Sequence, residues 1–165
     1  MGKLEDIEWI KRQEEELTLE RFDEAAAFAI GASVYLRASA EQLPLVVDIR
    51  TWDRPLFYCA LPGTTADNAD WVRRKANTVR RFGKSTYRMV LESKEEGRLL
   101  PPKFGLPPAD YVLAGGGFPI RVGVAGIIGA ITVSGLPERD DHEIAAAALA
   151  EFLGREKEAL ALPRE

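Results

Sequence analysis

Gly115–Pro137 reads GGGFPIRVGVAGIIGAITVSGLP. This stretch is glycine-rich, apolar and nearly uncharged, in a chain of which 29% is Asp, Glu, Lys or Arg. Val124–Ser134 is too short and too interrupted by glycine to span a bilayer, which needs roughly 20 apolar residues. Branched residues without charge, closed at both ends by turn signals, predict a buried β-strand instead. Alternation puts Ile127, Gly129, Ile131 and Val133 on one face and Gly126, Ile128, Ala130, Thr132 and Ser134 on the other. Only Ile128 in the second set is bulky, so that face admits the close approach of a helix, a ligand or another backbone. Phe118–Val122 is the partner strand, reached through a turn near Gly123. Gly115–Gly117 makes a poor phosphate cradle, because no Lys-Ser/Thr pair opens a helix after it and Phe118-Pro119-Ile120 continues as strand. A tight turn with positive φ accounts for these glycines.

Moving outward toward the C-terminus, Asp140 is placed to cap a helix, with Glu143 three residues on as in a capping box. The alanine-rich helix spans Asp141–Leu153 and Gly154 ends it. Arg155–Glu165 is charged and is expected to be a loosely held tail. In the other direction, 100–109 is proline-rich and irregular, and Ser85–Glu95 is a helix carrying Tyr87, Val90 and Leu91. A longer helix, capped by Thr65 or Asp67, runs to about Phe82 and stops at Gly83. Its inner stripe is Val72, Ala76 and Val79. Arg73, Arg74, Lys75, Arg80, Arg81 and Lys84 make it the one basic segment. Leu45–Thr51 and Leu56–Ala60 form a hairpin across Trp52-Asp53-Arg54, with Pro55 tolerated at a strand start. Residues 1–17 are an amphipathic N-terminal helix. The helix after it, capped by Thr18 or Asp23, is assigned an inner face of Phe22, Ala26, Ala29, Ser33 and Leu36. The order helix, hairpin, helices, hairpin, helix defines an α+β fold: two hairpins form one antiparallel sheet flanked by helices. Nothing divides residues 1–165 into two domains.

The net charge of -4 argues against a nucleic-acid partner, which leaves a basic footprint. Cys59 is alone, so no intrachain disulfide forms, and its apolar setting Phe57-Tyr58-Cys59-Ala60 fits a reducing compartment. MGKLEDIEWIKRQEEE lacks the apolar core of a signal peptide. A soluble cytoplasmic protein without a membrane partner is expected.

Gly115-Gly116, Phe118-Pro119-Ile120, Gly129 to Gly135 (GAITVSG) and Asp141-His142 opening an alanine-rich helix resemble the signature of the haem-degrading, HbpS/GlcG-like family. Asp48-Ile49-Arg50, Leu56-Phe57-Tyr58 and Arg73-Arg74-Lys75, followed by Val79, Phe82-Gly83 and Ser85, agree with it. Leu61 to Thr65 (LPGTT) and Ser134 to Pro137 (SGLP) are similar to its branch of uncharacterised conserved proteins. The likeness covers roughly Thr18 to Leu153. It implies a profilin-like fold in α/β/α layers and homo-oligomers, with binding of haem, iron or a related tetrapyrrole in some relatives. Ala114 departs from the pattern, standing where relatives in that branch often carry a histidine.

No catalytic constellation is evident. His142, the one histidine, sits among Glu138, Asp140, Asp141 and Glu143; with Asp141 it is the candidate metal pair, and its imidazole is a candidate haem ligand. The plainer alternative is a solvated residue at a helix start, its acids favoured by the macrodipole. Arg80 and Arg81, with Arg73 and Arg74, suit carboxylates such as haem propionates, whereas the plainer alternative is a solvated face in which Asp70 pairs with Arg73 or Arg74. Gly115, Gly116, Thr132 and Ser134 complete the candidate cofactor site. Ser134 as a nucleophile lacks a G-x-S-x-G elbow and would depend on His142 as base. Thr64, Thr65, Asp67 and Asn68 form either a pocket wall at a helix N-terminus or ordinary caps. Two functional expectations follow. One is a homo-oligomer binding haem, iron, a related tetrapyrrole or another small anionic ligand. The alternative is a non-enzymatic adaptor or assembly protein that binds protein partners through its terminal segments.

Overall fold

The computed structural model describes residues 2–94 and 96–164. Among these residues, six α-helices and four strands follow in the order α1 (Gly2–Glu16), α2 (Glu24–Ala40), β1 (Val46–Thr51), β2 (Arg54–Ala60), α3 (Ala66–Phe82), α4 (Thr86–Glu92), β3 (Gly117–Val122), β4 (Gly126–Ser134), α5 (Glu138–Phe152) and α6 (Lys157–Leu160). The strands form one antiparallel sheet in the order β2-β1-β4-β3. The two hairpins are therefore joined through their inner members β1 and β4. This is the α+β sheet between helices that the sequence predicts.

Local chemistry sets the boundaries. Asp23 caps α2 by accepting from the Ala26 N–H at 2.8 Å. Thr65 and Asn68 form a capping box on α3, and Gly83 ends that helix at φ 68. Pro55 lies in the border strand β2, where a missing N–H is tolerated. α2 and α5 pack together on one face of the sheet, and α3 packs on the other. Leu17, Ala27, Ile30, Val34, Val47, Ile49, Phe118, Ile131, Val133, Ala145 and Leu149 are buried in the main core.

Several elements depart from the sequence expectation. Val124 is outside the strand and fully exposed, because Gly123–Ala125 is a short 3-10 turn entered and left through positive φ at Gly123 and Gly126. Ile120 pairs with Gly129 and Arg121 with Ile127, so Ile128 is an unpaired bulge residue. The bulge reverses the alternation: Ile128 packs against the main core, while Ile127 lies 3.6 Å from where a Cβ on Gly83 would stand. The slim face toward α3 is thereby left with Ala130, Thr132 and Ser134. In α2 the buried residues are Ala26, Ala27, Ile30, Gly31, Val34 and Ala38, while Ala29 and Leu36 face out. α4 stops at Glu92, short of the expected end, and Glu95 lies outside the described residues.

α5 begins at Glu138 with Pro137 as its cap, three residues before the expected cap Asp140, and Glu143 bonds elsewhere. The tail, expected to be loose, buries Leu160 and Leu162. Gln13 of α1 donates to the Leu160 carbonyl at 2.7 Å, the Leu162 N–H donates to Glu143 at 3.0 Å, and Arg139 holds both Asp6 and the Pro163 carbonyl.

Candidate functional site

Where β4 leaves the sheet and β3 enters it, side chains from both helical layers meet in a cleft of about 270 Å³. Asn68, Trp71 and Lys75 reach it from α3, Glu138 and Asp141 from α5, Ser134 from the end of β4, and Arg98 from the preceding loop. Lys75 and Asp141 are buried and pair at 3.3 Å, and the Lys75 ammonium also donates to the Val133 carbonyl at 2.9 Å. The Asp141 carboxylate accepts the Leu136 N–H at 2.9 Å and the Gly135 N–H at 3.3 Å. Gly116 makes the arrangement fit. Its φ of 131 suits glycine, and a Cβ there would overlap the Val133 carbonyl and lie 2.9 Å from the Lys75 ammonium.

Burial disfavours both charges. It pushes Asp141 up to about 6, against the pull of Lys75 and the two N–H donors, and it pushes Lys75 down, against the pull of Asp141. At the rim Arg98 pairs with Glu138 at 2.9 Å and lies over the Trp71 ring at 5.8 Å. Glu138 also accepts the Gly115 N–H at 3.1 Å, and Asn68 donates to the Ser134 hydroxyl over a long 3.4 Å. The cleft thus offers a desolvated amine, a carboxyl group able to exchange protons near neutrality, and a solvent-facing guanidinium.

Of the residues singled out from sequence, Gly115, Ser134 and Asp141 line this cleft, and Gly116 lies behind it against Lys75. Thr132 lies one pleat deeper, its hydroxyl buried without a hydrogen-bond partner. His142 is not solvated. It is wholly buried between the rings of Tyr87 and Phe118, at 5.5 and 5.6 Å, and its Nε2 lies 2.7 Å from the Gln13 carbonyl oxygen. Gln13 accepts through that oxygen, so Nε2 carries the proton and Nδ1 is a buried bare lone pair. Burial first, and Arg139 second, lower this imidazole to about 3.

His142 and Asp141 consequently turn to different partners, and among the described residues no group of three His, Cys, Asp or Glu is arranged to hold a metal ion. His142 does not stand beside Ser134 as a base either. Arg80 and Arg81 are exposed near the other end of α3, over Trp52 and Phe82 respectively. Arg73 bonds Asp70, Asp110 and the Ala109 carbonyl, and Arg74 bonds the Pro108 carbonyl, so both clamp the loop before β3.

A second concavity, of about 440 Å³, lies between α4 and the proline-rich loop. Phe82, Met89, Leu100, Phe104 and Leu113 line it, with Lys84, Lys94 and Lys103 around it. The Phe82 and Phe104 rings meet edge to face at 5.1 Å. Sequence reading missed this groove, because it is closed by a loop without periodicity.

An antiparallel sheet between helical layers, with a polar cleft at the sheet's end and an apolar groove beside it, defines an α+β protein with two candidate ligand sites. The family described as "Haem degrading protein HbpS-like" matches residues 22–150, and the chain belongs to that family. It is 56% identical over 165 residues to UPF0303 protein mlr5144 of Mesorhizobium japonicum, covering 100% of this chain and 99% of the relative. It is 52% identical over 154 residues to a UPF0303 protein of Brucella melitensis, covering 93% of this chain and 91% of the relative. Among solved structures, the fold is similar to that of Ybr137w protein (TM-score 0.83, 24% identity, 93% of each chain covered). It is also similar to HbpS (TM-score 0.63, 20% identity, 82% of this chain and 92% of that one). A PduOC–haem complex gives a TM-score of 0.65 at 21% identity, with 78% of this chain and 93% of that one covered.

Proposed function

We propose that this protein is a cytoplasmic homo-oligomer that binds haem or a related tetrapyrrole in the groove between α4 and the proline-rich loop. The carrying observation is the match of that groove to such a ligand: an apolar, aromatic floor within the size range of small-molecule sites, and Lys94 and Lys103 at the rim for carboxylates, Lys84 being held by Glu92 at 2.7 Å. Met89 supplies a thioether, a sulfur ligand that haem iron accepts. A bound haem would supply redox-active iron, while these residues bind and orient the macrocycle. The polar cleft is smaller and holds two ion pairs, so it suits a different ligand. His142 is withdrawn from ligation by its burial and its Gln13 bond.

Family membership supports the haem reading, and the PduOC–haem complex is a binding precedent within the same fold. Self-association is supported by α2, which is apolar on its outer side too: Phe28 and Leu36 are 65% and 67% exposed, beside Tyr35. The lone thiol Cys59 supports the cytoplasm. The adaptor alternative relied on terminal segments free to engage partners, and the burial of Leu160 and Leu162 removes that support for the tail.

Titration with haemin tests the reading. Saturable growth of a Soret band is expected, altered in position by Met89→Leu and weakened by Lys94→Glu with Lys103→Glu, but unchanged by His142→Gln. Absence of saturable binding by the wild type refutes it.

A further inference from the structure

The polar cleft contains a buried amine for which haem binding has no use. Lys75 and Asp141 both line it, their charged atoms 3.3 Å apart, with little water to stabilise either charge. A desolvated lysine beside a proton acceptor is the arrangement that makes an amine nucleophilic toward carbonyl carbon. The glycine turn is shaped around that nitrogen, since any side chain at Gly116 would crowd it. Above it, Arg98 reaches from the rim and is half exposed, lying over the Trp71 ring and paired with the side chain of Glu138. Its guanidinium can exchange that partner for a ligand carboxylate, which it grips in two-pronged fashion. Ser134 and Asn68 line the same cleft, are joined by a long 3.4 Å contact and can turn to a ligand oxygen.

We propose that this cleft captures a small 2-oxo acid, its carboxylate held by Arg98 and its carbonyl carbon bonded to the Lys75 nitrogen as a Schiff base. Asp141 first takes one proton from the Lys75 ammonium. The freed lone pair adds to the carbonyl carbon as the C=O π pair moves onto oxygen. That oxygen collects a second proton from the nitrogen and the one held by Asp141, then leaves as water. A cationic imine remains beside the Asp141 carboxylate, and no oxidant or reductant is consumed. The downward push on Lys75 and the upward push on Asp141 both favour the first transfer.

Reductive trapping tests this without reference to haem, so its outcome is separate from that of the groove. The intact protein is incubated with pyruvate and cyanoborohydride, and in parallel with acetaldehyde, and the modified peptides are mapped. Pyruvate should add one reduced adduct per chain, on Lys75, at concentrations that leave exposed Lys3 and Lys94 unmodified. Arg98→Met, a rim change that leaves the buried pair in place, should lower pyruvate trapping on Lys75 about tenfold, the worth of a charged hydrogen bond, and leave acetaldehyde trapping there unaltered. Lys75→Met should abolish the adduct, and if that variant fails to fold, the wild-type map and the Arg98→Met comparison still decide. Adducts confined to exposed lysines overturn the proposal, and so does an Arg98→Met effect that is absent or equal for both probes.

Discussion

His142 makes the stability of this protein sensitive to acid. Its imidazole is held neutral to about pH 3 by burial and by the charge of Arg139, whereas the unfolded chain protonates it near 6.5. A depressed folded pKa means that the unfolded state binds more protons between those values. Stability is therefore present above about 6.5 and is lost as pH falls toward 3, by up to roughly 4 kcal/mol. Asp141 acts in the opposite sense, since a carboxyl raised to about 6 binds protons more readily when folded and returns stability as pH falls from 6 toward 3.8. His142→Gln removes the first effect and keeps the second. The variant should be less stable than the wild type at pH 7 and should close that gap as urea denaturation is repeated down to pH 4. A gap independent of pH would refute this account. The position of His142 was readable: it lies three residues before Ala145 and seven before Leu149, both buried. Its acidic neighbours suggested solvent instead. Lys75 gives the same lesson, lying between Val72 and Val79 in the very stripe that marks the inner face of α3, yet it reads as one more charge in a basic run. Arg98 and Glu138 had no such signal, because a loop and a helix start distant in sequence bring them together.

The glycine turn before β3 is tied on both sides, Gly115 to the Glu138 carboxylate and Gly117 to the Thr86 hydroxyl, with the Gly116 carbonyl accepting the Val133 N–H between them. Gly116→Ala should cost about 1–3 kcal/mol from backbone strain alone, and more once the displaced Val133 carbonyl and the Lys75–Asp141 pair are included. Gly154→Ala has a similarly positive φ of 68 with open space around it, and should cost only about 1 kcal/mol. Urea midpoints of the two variants check this, and equal losses would show that the turn bears no special crowding. The strands and helices themselves were legible because their turn residues and caps are local. The Ile128 bulge was not, since register depends on the partner strand. Nor was the inner face of α2, because a helix with Ala, Phe and Leu on every side shows no period to choose by.

The same all-round apolar character of α2 predicts assembly. Phe28→Asp with Leu36→Glu should lower the mass seen by light scattering to that of one chain. The far-UV circular dichroism of the dissociated chain should match that of the wild type, since both side chains face outward and only the edge contact of Phe28 with Phe57 is lost. A monomeric wild type would remove this argument. The sequence carried the composition of α2 but no indication of what covers it, because a partner surface leaves no pattern in a single chain.

The borders of the sheet constrain how copies can be arranged. The outer border of β3 offers little to a second strand: the Gly117 N–H is taken by the Thr86 hydroxyl at 2.9 Å, Pro119 has no N–H, and Leu19 bonds to Arg121 and Gly123 at 2.9 Å each, while β2 at the opposite border has no such partner among the described residues. Backbone pairing between molecules can then occur only β2 to β2. Such a contact is two-fold and consumes itself, so any growth by strand addition ends at a pair and cannot run on into a fibre.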